Sequence, residues 1–158
     1  APHLAEGAVQ ALLLGIADQS PFLWQIAAAR PARLARLVLD SPEASHAALL
    51  AEQESCIALA REGGPRDEIV RRLRQARASH ALLVALADCG GVWSVEEATA
   101  ALSAFADASV RAATGVLLVE AEAAGRMSGL DPADPGRGSG LVVLALGKHG
   151  AGELNYSS

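Results

Sequence analysis

Apolar residues recur at three- and four-residue intervals through most of this chain, the spacing of one helix face. Leu13, Ile16 and Ala17 set the first such face, in a helix predicted over Leu4 to Asp18. Ser20-Pro21 reads as a helix start: a side-chain oxygen at the N-cap, then a proline where no amide hydrogen is needed. Phe22 to Ala29 follows as a short helix carrying Trp24, and Pro31 opens another to about Leu39. Ser41-Pro42 repeats the start signal for a longer helix, which Gly63-Gly64-Pro65 stops near Glu62.

From Arg66 to Asp88, Ile69, Leu73, Ala76, His80, Leu83 and Ala87 follow one face, with Arg71, Arg72, Arg74 and Arg77 away from its centre. The arginines read as a solvated face, with a phosphate-bearing partner as the alternative. His80, amid apolar neighbours, reads as a hydrogen-bonded core or boundary residue rather than a catalyst. Gly90-Gly91 breaks the pattern. Ser94 and Glu97 then have the spacing of a capping box. The longest predicted helix runs from there to about Ala124. Its stripe of Leu102, Phe105, Ser109, Ala112, Val116 and Val119 is small enough for a neighbouring helix to come close, and Asp107 and Arg111 have ion-pair spacing on the wet side.

The pattern changes at Gly125. Asp131, Pro132, Asp134, Pro135, Gly136, Gly138, Ser139 and Gly140 give a loop with turn chemistry throughout. Its two aspartates read as solvated turn residues rather than a metal pair. Leu141 to Leu146 is a short continuous apolar run, the pattern of a strand buried on both faces. A glycine-punctuated turn with Gly147, Gly150 and Gly152 follows, and holds Lys148, the only lysine in the sequence. The division expected is a helical domain over residues 1–130, a linker over 131–140 and the start of a second domain over 141–158.

Composition narrows the possibilities. Hydrophobic residues make up 51% of the 158 and aromatics only 3%, so the core must be built from Ala, Leu and Val. The net charge of −5 offers no footprint for nonspecific nucleic-acid binding. The longest apolar runs are shorter than the roughly 18–20 residues of a membrane span, and the first residues lack the basic region of a signal peptide. Cys56 and Cys89 form no C-x-x-C pair and read as reduced core residues of a cytoplasmic protein. His3, His46, His80 and His149 show no metal-ligand spacing with them.

Lys148 draws attention to its glycine turn. A P-loop is excluded: Gly147-Lys148 is followed by His149, and Val142 stands where the first glycine belongs. A dinucleotide fingerprint is excluded because Asn155 takes its last glycine position. What remains is an apolar strand, a turn that admits close backbone approach and a cation suited to phosphate. A strand-to-loop turn with a solvated lysine is the plain alternative.

The whole string LALGKHGAGELNYSS is more specific. It resembles the glutamine synthetase adenylyltransferase/adenylyl-removing enzyme family, whose motif reads roughly G-x-G-K-L-G-G-x-E-L-N-Y-S-S-D-I-D-L. Gly147, Lys148, Gly150, Glu153, Leu154, Asn155, Tyr156, Ser157 and Ser158 match in register. Ala145, His149 and Ala151 depart from it. SPFLWQIAAARPARLARLV resembles the family's N-terminal half, and the stretch LRQARASHALLVALADCGGVWSVEEATAALSAFADASVRAA its helix-turn-helix before the catalytic core.

The resemblance implies a mainly α chain: an N-terminal helical domain, then the opening strand and glycine turn of a nucleotidyltransferase α/β fold. It implies nucleotide and phosphate binding by Gly147, Lys148, Gly150, Gly152, Ser157 and Ser158, with Mg²⁺ in the complete enzyme held by a D-x-D pair expected after Ser158. E-L-N-Y-S-S with S-P-F-L and R-P resembles the half that removes AMP from glutamine synthetase by phosphorolysis, releasing ADP. The partners implied are glutamine synthetase, a PII-type signalling protein, adenine nucleotide and phosphate, with no nucleic acid and no membrane. This stretch alone is expected to be inactive. A helical docking module for glutamine synthetase or a PII-type regulator is the alternative.

Overall fold

The structure is a computed structural model that describes residues 6 to 156. Six helices of substantial length precede the loop: α1 Glu6–Gln19, α2 Pro21–Ala29, α3 Pro31–Leu39, α4 Pro42–Arg61, α5 Arg66–Cys89 and α6 Val95–Ala123. The start expected at Leu4 lies outside the described residues. The sequence signals for the other boundaries act as expected. Ser20 Oγ accepts the amide of Leu23, Ser41 Oγ that of Ala44. At α6 the capping box closes both ways: Ser94 Oγ accepts from the Glu97 amide, and Glu97 accepts from the Ser94 amide at 2.7 Å.

Helices α4, α5 and α6 form the body, with α4 packed most extensively against the other two. Their directions follow from the ion pairs. Arg61, ending α4, lies 3.7 Å from Glu122, near the end of α6; Arg66, starting α5, lies 3.2 Å from Glu120. So α4 and α6 run the same way and α5 runs against both. Close approach of α4 and α6 depends on Gly115, where a Cβ would fall 2.7 Å from Ile57 Cδ1. Helices α1, α2 and α3 cover the other side of α5, where α2 makes most of the contact.

Most of the positions read along α5 and α6 are buried, while Leu73, Leu102 and Ser109 are only partly so, and Leu82, Val84, Leu86 and Ala101, off the stripes, are buried as well. Ile69, Ala76, Leu83 and Ala87 on α5, and Phe105, Ala112, Val116 and Val119 on α6, are each under 9% exposed. The larger core joins Ile16, Leu37, Leu49, Leu82, Leu83, Leu86, Trp93 and Phe105. A smaller cluster of Cys56, Ile69 and Val116 closes the far end of the body. By length and composition α6 is apolar enough to cross a bilayer, contrary to the impression left by its short apolar runs. Here its apolar face is core, packed on α4 and α5.

Several local expectations need correction. Cys89 is exposed at the end of α5 rather than in the core. Arg111 approaches Glu54 of α4, at 4.0 Å, while Asp107 pairs with His149 at 2.8 Å. A cross-helix acid and a chain-distant histidine displace the local i, i+4 pair, which is worth only about 0.2–0.5 kcal/mol. The loop after α6 is better ordered than solvated acids imply. Asp131 Oδ1 accepts the amides of Ala133 and Asp134, Arg61 donates to the Asp131 carbonyl at 2.8 Å, and Pro135 is buried. Those backbone hydrogen bonds hold the Asp131 carboxyl below its usual range.

The largest correction concerns Leu141 to Leu146. No strand forms among the described residues; the segment is irregular, and Leu141, Val142, Val143, Leu144 and Leu146 are 50–82% exposed. A helix satisfies its own backbone, whereas a strand needs a neighbour's amides and carbonyls. The described residues supply no second strand to pair with. The glycine turn also differs: Gly147–Gly150 makes one helical turn, α7.

Candidate functional site

The glycine segment is built around close backbone contact. Leu146 is extended, Gly147 enters with φ of 59°, and the chain turns through α7 before Gly152 reverses it with φ of 74°. The amide of Gly150 donates to the Leu146 carbonyl, and that of Glu153 to the Lys148 carbonyl at 2.8 Å. A Cβ at Gly150 would fall 2.5 Å from the carbonyl oxygen of Ala145, so backbone occupies the space a side chain would need. Ala151, one of the positions that departs from the motif, has φ of −83° and needs no glycine.

Gly147, Lys148, Gly150 and Gly152 thus lie within one compact turn. Lys148 is exposed on it and makes no ion pair among the described residues. Ser157 and Ser158 lie outside the described residues. No three His, Cys, Asp or Glu side chains converge among the described residues in a way that could hold a metal ion.

His149, Leu154 and Tyr156 fasten the segment to the helical body. His149 Nε2 meets Asp107 Oδ1 at 2.8 Å. The Leu154 amide donates to Ser103 Oγ at 3.1 Å. The Tyr156 hydroxyl donates to Asp88 Oδ2 at 2.8 Å. Partial burial, then the carboxylate beside it, push the Tyr156 hydroxyl's pKa well up. None of these attachments is visible to periodicity. They join residues 42 to 68 positions apart, and Ser103 falls outside the apolar stripe.

A second polar cluster lies inside the body. His80 is 2% exposed and stacks on Phe105, ring centroids 4.0 Å apart and planes 9° from parallel. Its Nε2 lies 3.1 Å from His46 Nδ1. His46 in turn meets Trp93 edge-on, and Trp93 Nε1 donates to Glu43 at 2.8 Å. Burial, then the neighbouring His46, push His80 down to about 3; burial also lowers His46. Both rings are therefore neutral near pH 7, one donating and the other accepting. The cluster is a satisfied part of the core, as expected of His80; the part played by His46 had no sequence signal.

These features define a helical body that presents a glycine- and lysine-bearing helical turn at one of its corners, without the strand expected before it. The model of the glutamate-ammonia ligase adenylyltransferase family matches residues 10–158, and the chain belongs to that family. Among curated relatives, the bifunctional glutamine synthetase adenylyltransferase/adenylyl-removing enzyme of Xanthobacter autotrophicus is 49% identical over 149 residues, 94% of this chain and 15% of the relative. The protein of the same name from Bradyrhizobium diazoefficiens is 46% identical over 147 residues, 93% of this chain and 14% of the relative. That from Rhodopseudomonas palustris is 43% identical over 150 residues, 95% and 15%. The chain thus spans about one seventh of the length of these relatives. No solved structure matches it.

Proposed function

We propose that this chain is the front of the adenylyl-removing half of a bifunctional glutamine synthetase adenylyltransferase. The reaction is phosphorolysis: phosphate attacks the adenylyl phosphorus, the bond to the tyrosine oxygen of glutamine synthetase breaks, and ADP leaves. The observation that carries the reading is the turn at Gly147 to Tyr156. It keeps the family's glycine, lysine and E-L-N-Y register and is held at one place on the helical body.

Phosphoryl chemistry on an anionic substrate needs positive charge near the phosphate oxygens and an in-line nucleophile. Lys148 supplies a compact cation on an exposed turn, and glycine at 147, 150 and 152 lets substrate approach the backbone closely. Ser157 and Ser158 would follow directly. Mg²⁺ would supply charge to the oxygens that turn more negative as the bond breaks. The described residues bring no carboxylate set together for it. The acids that would hold it are assigned to the D-x-D expected after Ser158.

The partners follow from this reading: adenylylated glutamine synthetase, phosphate and adenine nucleotide, with a PII-type protein as regulator and the cytoplasm as the place. A full-length protein carrying this chain, given adenylylated glutamine synthetase, phosphate and Mg²⁺, is expected to release ADP, and residues 1–158 alone are expected to release none. A folded full-length protein that adds AMP but never releases ADP would refute the assignment to the removing half. ADP release by residues 1–158 would show that the site is misplaced.

A further inference from the structure

We infer that Ser103, Asp107 and Asp88 form a clasp that positions the glycine segment, so that the helical body sets the geometry of phosphate handling. The inference rests on the reading of that segment as a phosphate-binding turn. Ser103 and Asp107 are four residues apart on α6 and therefore share a face. The segment crosses that face in reverse order, His149 on Asp107 and then Leu154 on Ser103, before Tyr156 reaches Asp88 at the end of α5. The contacts bracket the turn: one beside Lys148, two beyond Gly152.

Ser103 is the centre of the clasp. It is 7% exposed, and its hydroxyl is used in both directions. It donates to the Thr99 carbonyl at 2.9 Å and accepts the Leu154 amide at 3.1 Å. The first bond fixes the oxygen on the helix; the second holds the segment's backbone to it. A serine placed only to fill helix surface would need the first and not the second. The apolar residues that precede the segment are exposed, so burial of that run does not hold it. Displacement of a reacting group by about 1 Å can cost about a hundred-fold in rate, so a clasp on the turn is a control on the chemistry. These are positioning residues: they act through His149, Leu154 and Tyr156 and touch no substrate.

The test uses the full-length protein and three readouts: ADP release, AMP addition to glutamine synthetase, and hydrogen exchange of the peptide containing Leu154. Ser103→Ala is expected to speed exchange of that peptide at least about ten-fold and to lower kcat for ADP release by about ten-fold. KM for adenylylated glutamine synthetase and the AMP-adding activity should stay within about two-fold. Ser103→Thr, which keeps the acceptor, should restore both exchange and kcat. Tyr156→Phe removes only a hydroxyl from an exposed ring and should give the same pattern in weaker form, should Ser103→Ala fail to fold. Unchanged exchange in both variants, faster exchange with unchanged kcat, or no rescue by threonine would overturn the clasp. If the unaltered protein releases no ADP, the removing-half reading falls, and the exchange results alone decide whether the clasp exists.

Discussion

The helical body and the segment that follows it are both rich in apolar residues, yet only the body buries them. Leu82, Leu83 and Val84 of α5 are 0–2% exposed, whereas Val142 and Leu144 are 75% and 78% exposed. Composition does not separate them; the source of their backbone hydrogen bonds does. Each turn of α5 satisfies its own amides, so an apolar stripe is enough to place it. Leu141 to Leu146 needs another strand alongside. A hydrophobic pattern states that a surface will be covered without stating by what.

The largest effects that sharpen this comparison are in the core. Phe105→Ala removes the ring stacked on His80 and is expected to cost about 3–5 kcal/mol in denaturant unfolding. Leu144→Ala should change stability by less than about 0.5 kcal/mol. A comparable loss at Leu144 would mean that the segment is packed after all.

The histidine pair comes next. His80 is lowered from its ordinary 6.5 to about 3, so the unfolded chain binds the proton more readily than the folded one. Its stabilising contribution is present above pH 6.5 and is lost as pH falls towards 3. His46, lowered in the same sense, adds to it. Between pH 6.5 and 5, above most carboxylate titration, unfolding free energy should fall by up to about 1.4 kcal/mol per pH unit per proton. His80→Leu should flatten that slope; a slope unchanged by the substitution would place its origin elsewhere.

Smaller effects test the boundaries. Ser94→Ala should cost about 1 kcal/mol by opening the capping box, read from the unfolding midpoint. Gly150→Ala should leave global stability within about 0.5 kcal/mol. It should still speed hydrogen exchange in residues 147–156, because a Cβ there meets the Ala145 carbonyl.

Much of the body was legible because its signals are local. Ser41-Pro42, Gly63-Gly64-Pro65 and the Ser94–Glu97 box act within one turn, and most of the alternating apolar steps of α5 and α6 are buried. The glycine spacing marked a change of direction around Lys148, but not that Gly147–Gly150 would make a helical turn. What attaches that turn was not legible. Asp107 has a local arginine at the right spacing, yet pairs with His149; Asp88 and Tyr156 meet across most of two helices. Such pairings depend on where the bundle brings its corners together, which no window along the sequence contains. Leu141 to Leu146 failed for a different reason: the pattern reports burial on two faces, and no second strand among the described residues supplies it.

Phosphate handling in AMP removal is proposed to lie in the turn around Lys148. It is tested most directly by phosphate-dependent ADP release from adenylylated glutamine synthetase, with the full-length protein and its Lys148→Ala variant compared side by side. The unaltered protein is expected to release ADP, and the variant to lose about ten- to a hundred-fold of that rate. Equal ADP release from both would contradict it.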